Sequence, residues 1–103
     1  MTRPSRLSEE DLDEWRAEHP QWSVVESRLV RQVPISFASG ARLISQLVAL
    51  SDRLDHHPKV TIEYSQTTIE LWTHDQGGIT ALDLEFADGV DAFVETGPPP
   101  KDA

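Results

Sequence analysis

Cysteine is absent from this 103-residue chain, which excludes disulfides, thiolate zinc sites and cysteine nucleophiles together. Cations are scarce: 9 Lys and Arg against 18 Asp and Glu leave a formal net charge of −9. That balance opposes nonspecific binding to nucleic acid or to an anionic membrane, because both need a cationic footprint. Neither is expected as a partner. No apolar run approaches bilayer-spanning length, and the N-terminal MTRPSRLSEEDLDEW lacks the apolar core of a signal peptide. A cytoplasmic location is therefore the default expectation. Also missing are a serine elbow, a phosphate-binding loop and a dinucleotide fingerprint.

What remains is the composition of an ordinary globular domain, 38% hydrophobic and 26% charged. Residues 1–6 read as a flexible N-terminal tail, residues 7–95 as a single domain and residues 96–103, with three consecutive prolines, as a disordered C-terminal tail. Ser8 followed by Glu9, Glu10 and Asp11 is a helix start, with Leu12 and Trp15 on a short apolar face and Pro20 at the end. WSVVESRLVRQVPI predicts two strands joined around Glu26–Arg28, with Pro34 closing the second. A helix stripe follows through Phe37, Ala41, Ile44, Leu47, Val48 and Leu54, and Gly40 weakens only its first turn.

KVTIEY and TTIELWT alternate as strands, and Tyr64 shares the apolar parity of Val60 and Ile62, which assigns it to the core. HDQGG is a turn whose Gly77 and Gly78 can take positive φ. Thr80 and Asp83 form a capping box that opens a final helix with Leu82, Phe86, Val90 and Phe93 or Val94 on one face. The order α-β-β-α-β-β-α predicts an α+β fold, a four-stranded antiparallel sheet with helices packed on one face.

Two of the four histidines stand together in LDHHPKV. A turn centred on Ser65–Gln66 would set Ile62 opposite Ile69 and Val60 opposite Leu71, and would extend to His57 opposite His74. Directly facing residues have Cβ atoms roughly 4.5–5.5 Å apart. His56, where the long helix ends, would lie near the same place, with Trp72 beside it. Three readings follow. A zinc site is disfavoured because no His-x-x-x-His pair is present, and adjacent histidines diverge from extended chain. Surface histidines without a role, with Thr73 and Asp75 as turn residues, are the second reading. Acid–base chemistry is the third: imidazole titrates near neutrality, and Asp52, Asp55 or Asp75 could orient the rings. Proton transfer without a nucleophile points to elimination, hydration or tautomerisation.

The segment Asp52–Asp83 resembles the pterin-4a-carbinolamine dehydratase family. The matching positions are Asp52, His56, His57, Pro58, Tyr64, His74 and Asp83, and Trp22, Leu29, Arg31, Val33, Ile35 and Phe37 fit more loosely. The resemblance implies a hydro-lyase that removes water from 4a-hydroxytetrahydropterin to give quinonoid dihydropterin, in recycling of the pterin cofactor of aromatic amino acid hydroxylases. It implies His56, His57 and His74 as the catalytic trio, with no metal and no organic cofactor. Within the trio, His56 and His74 read as the acid–base pair and His57 as a positioning group. Trp72 reads equally as a pocket wall or as an exposed strand aromatic or subunit contact, Asp52 as a group orienting His56 or as a solvated helix carboxylate, and Asp83 as a structural cap. Pro58 reads as the residue that lets both rings of the doublet face the pocket. The resemblance also implies a homodimer or homotetramer and, as an alternative function, a weakly active or inactive scaffold that stabilises or dimerises a partner protein.

Overall fold

The computed structural model describes residues 4–96. Within them the order is α1 (Glu9–Ala17), β1 (Ser23–Val25), β2 (Arg28–Val33), α2 (Phe37–Leu54), β3 (Lys59–Ile62), β4 (Thr67–Leu71), a 3-10 turn (His74–Gln76) and α3 (Ala81–Thr96). The predicted order and the α+β class hold. The strands form one antiparallel sheet in the spatial order β1-β2-β4-β3, so α2 carries the chain from β2 across β4 to the far edge.

Local chemistry accounts for the boundaries. Ser8 Oγ accepts the Asp11 amide at 3.0 Å, and Ser36 Oγ accepts the Ser39 amide at 3.1 Å, so a serine caps each of the first two helices. The β1–β2 hairpin turns on Glu26 and Ser27, both at positive φ (52° and 64°), as a two-residue turn between right-twisted strands requires. Pro34 follows the last residue of β2. Residues 1–3 and 97–103 of the two expected tails lie outside the described residues. Arg6, which the tail reading leaves loose, instead bridges Thr80, and the Leu7 amide donates to the Ile79 carbonyl at 2.9 Å.

The core lies between the sheet and the helices. Leu29, Ile69 and Leu71 from the strands meet Leu43, Leu47 and Leu50 of α2 and Phe86, Ala87 and Val90 of α3. Burial of each large side chain contributes about 1.5–3 kcal/mol. Trp22 Nε1 donates to Asp91 Oδ1 at 2.9 Å, and Arg31 of β2 pairs with the same carboxylate, which fastens α3 to the sheet. Among the described residues no helix is long and apolar enough to cross a membrane.

Two packing expectations are corrected. The buried face of α2 runs through Gly40, Leu43, Leu47, Leu50 and Ser51, leaving Phe37 59% and Val48 55% exposed. The helix carries two apolar stripes, and periodicity alone does not say which one meets the sheet. Tyr64 is 89% exposed, because it sits at the tip of the β3–β4 hairpin, where its carbonyl accepts the Phe37 amide at 3.1 Å. Of the two turn glycines, Gly77 takes positive φ (68°) and Gly78 does not.

Gly40 also does more than weaken a helix start. A Cβ there would lie 2.4 Å from Thr67 Oγ1 and 3.2 Å from Ile62 Cγ2, so its missing side chain sets how closely α2 approaches the sheet. Gly40→Ala, which would raise helix propensity on an isolated helix, is expected to destabilise this fold by about 1–3 kcal/mol through overpacking. Denaturant unfolding measures this, and an unchanged or raised midpoint would contradict it.

Candidate active site

The histidine doublet is set by how α2 ends. Asp55 adopts the left-handed conformation (φ 49°, ψ 49°), and the His56 amide bonds the Ser51 carbonyl at 3.0 Å while the Asp55 amide reaches Asp52 at 3.3 Å. This six-to-one and five-to-two pair is a Schellman closure with aspartate where glycine is usual. It reverses the chain sharply, so the adjacent rings diverge. His56 is buried against the core, edge-on to Phe86 with ring centroids 6.3 Å apart, whereas the side chain of His57 is 67% exposed.

His56 meets a fully buried carboxylate. Its Nε2 lies 2.5 Å from Asp83 Oδ1, in the first turn of α3. Asp83 Oδ2 accepts the Thr80 amide at 2.9 Å and the Thr73 hydroxyl at 2.8 Å. Thr73 Oγ1 gives its single proton to Asp83, so the Thr80 hydroxyl, 2.8 Å away, donates to it and in turn accepts the Leu82 amide at 3.2 Å. Every proton in this chain has one direction. An ionised carboxylate accepts only, so His56 Nε2 carries the proton of this bond.

The third histidine arrives on the turn after β4. Thr73 and Gly78 bridge, with the Thr73 amide 2.8 Å from the Gly78 carbonyl, and His74–Gln76 form the 3-10 turn between them. His74 is exposed, and its ring centroid lies 5.4 Å from that of Trp72. Asp55, His56, His57, Trp72, Thr73, His74 and Asp75 together line a cleft of about 250 Å³. All three expected catalytic residues therefore border one cavity, with Trp72, Thr73 and Asp75 beside them.

The route to that cavity differs from the expected one. The observed register pairs Val60 with Ile69 and Ile62 with Thr67, a slip of two residues from the expectation, so His57 continues opposite Trp72 rather than His74. The hairpin turns on Tyr64–Ser65 instead of Ser65–Gln66, with the Glu63 amide on the Gln66 carbonyl at 2.8 Å. A two-residue slip preserves which residues share a face, so the apolar alternation does not detect it.

Two supporting residues belong elsewhere. Asp52 Oδ1 lies 4.0 Å from His57 Nε2, both side chains exposed, and it is Asp83 that holds His56. Asp52 and Pro58 line a neighbouring apolar groove of about 350 Å³, with Ile44, Leu47, Val48, Ser51, His57 and Val60. That groove is larger, but His57 and Asp52 are its only titratable groups, so the smaller cleft is the candidate for chemistry. The left-handed turn at Asp55 precedes the doublet and Pro58 follows it, and both histidines border the smaller cleft. The capping-box reading of Asp83 is correct and incomplete: the same oxygen that takes the Thr80 amide also takes Thr73, and the other takes His56.

Comparison with known proteins identifies the family. The family described as Pterin 4 alpha carbinolamine dehydratase matches residues 5–93. A protein of Prochlorococcus marinus, named "Putative pterin-4-alpha-carbinolamine dehydratase", is 37% identical over 88 residues, 84% of this chain and 92% of the relative. One of the same name from Metallosphaera sedula is 33% identical over 87 residues, 84% of this chain and 91% of the relative. A crystal structure of a protein from Brucella melitensis, described as a transcriptional coactivator/pterin dehydratase, superposes with a TM-score of 0.82 at 26% identity, covering 87% of this chain and 99% of that one. In sequence over almost its whole length, and in fold, the chain belongs to the pterin-4a-carbinolamine dehydratase family.

Proposed function

We propose that the protein dehydrates 4a-hydroxytetrahydropterin to quinonoid dihydropterin by histidine acid–base catalysis, regenerating a tetrahydropterin cofactor's oxidised precursor for reduction. The observation that carries this reading is the cleft itself: three imidazoles around one small cavity, one of them aligned by a buried carboxylate. One imidazolium gives its proton to the 4a-hydroxyl as the C–O bond breaks, and a neutral imidazole accepts a proton from a ring nitrogen. The electrons of that N–H bond form the new double bond, so atoms and charge balance without an oxidant or reductant. His56 and His74 are the acid–base pair, and His57, on the rim, positions the ligand. Asp83 fixes the His56 ring and stabilises it in its charged form during transfer. A pterin-dependent aromatic amino acid hydroxylase is the kind of enzyme that would supply the substrate.

A second reading is favoured by one observation: the similar Brucella protein is described as a transcriptional coactivator as well as a pterin dehydratase. In that reading the same fold serves as a scaffold for a partner protein, with little or no turnover. The proposal includes self-association to a homodimer or homotetramer, supported by the exposed Phe37 and Val48 on α2 and by the open sheet edges at β1 and β3. Light scattering is expected to give two or four times the 11.6 kDa chain mass, and a monomer at micromolar concentration would contradict this part of the proposal.

Stopped-flow dehydration of the 4a-carbinolamine tests the chemistry. His56→Ala and His74→Ala are each expected to lose at least about 100-fold in turnover, the usual weight of a general acid or base. Asp83→Asn is expected to lose about tenfold or more, because an amide replaces a charge-assisted bond with a weaker one. Circular dichroism on each variant establishes that folded protein is being compared. Wild-type rates in both histidine variants would overturn the catalytic assignment, and no turnover in the wild type would favour the scaffold.

A further inference from the structure

The guanidinium of Arg28 lies 4.0 Å from the ring centroid of Trp72, over its face. This contact follows from the sheet. β2 and β4 pair Leu29 with Leu71, so the ladder carried one residue further sets Arg28 directly across from Trp72. Arg28 is the first residue after the strained Glu26–Ser27 turn, which fixes where its backbone starts. Its Nη1 also donates to Glu70 Oε1 at 3.0 Å, and Lys59, opposite Glu70 on β3, approaches the other oxygen at 3.8 Å. A cross-strand chain Lys59–Glu70–Arg28 thus runs over the outer face of the sheet and ends on an indole that lines the histidine cleft.

We infer that Arg28 is a positioning residue: it pins Trp72 as a rigid aromatic wall, against which the flat bicyclic pterin ring is bound before proton transfer. The inference rests on the proposed pterin substrate. The Arg28–Glu70 ion pair is only partly buried and has modest energetic weight by itself, but here it orients the guanidinium's plane over the ring. Cation–π contact restricts the indole to one rotamer, and a wall that is already ordered loses less freedom when the ligand arrives. The contacts of Arg28 are with Trp72 and Glu70, so its removal is expected to act on binding rather than on the chemical step.

The experiment is a double-mutant cycle on Arg28 and Trp72, read by calorimetric binding of 7,8-dihydropterin, a stable compound with the same ring system, and by steady-state dehydration. Arg28→Ala is expected to weaken binding and raise KM about threefold to tenfold, with kcat within twofold of wild type. Arg28→Lys, which keeps the cation, is expected to recover most of that loss, and Arg28→Gln to recover none. In a Trp72→Ala background, Arg28→Ala is expected to add less than twofold. Additive effects in the cycle, unchanged binding in Arg28→Ala, or a loss confined to kcat would each overturn the inference. Coupled binding without turnover in the wild type would leave Arg28's role standing and remove the dehydratase reading. Turnover without coupling would do the reverse.

Discussion

The Asp83 carboxylate is the constraint on which the rest of the site depends. It is fully buried, and a carboxylate in that position costs several kcal/mol unless its oxygens are matched by donors. The donors come from three separate stretches of chain: His56 after α2, Thr73 after β4 and the Thr80 amide at the start of α3. Satisfying one charge therefore fixes three loops relative to one another. The first two of those stretches supply the residues around the cleft, 55–57 after α2 and 72–75 after β4. The interaction that stabilises the junction of helix, strand and turn is the same one that orients a histidine.

Much of the fold was legible in the sequence because its signals are local. Ser8 and Ser36 cap helices, Pro34 stops a strand, and alternation marks Val60, Ile62, Ile69 and Leu71 as inward-facing. What escaped was every quantity that local signals leave degenerate. Apolar parity repeats every two residues, so the β3–β4 register slipped by two without penalty, and Tyr64 moved from an inferred core position to the hairpin tip. Both stripes of α2 satisfy a helical period, and the one that faces the sheet carries Leu43, Leu47, Leu50 and the close approach of Gly40 to Thr67.

The site shows the same division. The resemblance singles out His56, His57 and His74, and all three line one cleft even though the observed register does not pair His57 with His74. The partner of His56 was mistaken because Asp52, one helical turn earlier, is the near choice in sequence, whereas Asp83 is the near choice in space. Nothing local distinguishes a capping aspartate from one that also holds a histidine; the second role exists only once α3 docks. The left-handed Asp55 was equally silent, since aspartate tolerates that conformation without requiring it. Beyond that turn one ring of the doublet is buried and the other exposed on the rim, so the two histidines of LDHHPKV occupy different environments.

The proposed mechanism requires Asp83 to hold His56 with Nε2 as the donor and Nδ1 as the exchanging nitrogen, and long-range proton–nitrogen NMR on the imidazole rings tests this directly. The expected result is a slowly exchanging, strongly downfield proton on His56 Nε2 that disappears in Asp83→Asn, with Nδ1 as the ring nitrogen that responds to added 7,8-dihydropterin. A His56 ring that carries its neutral-form proton on Nδ1, or an Nε2 proton that exchanges as fast as those of exposed His57 and His74, would contradict it.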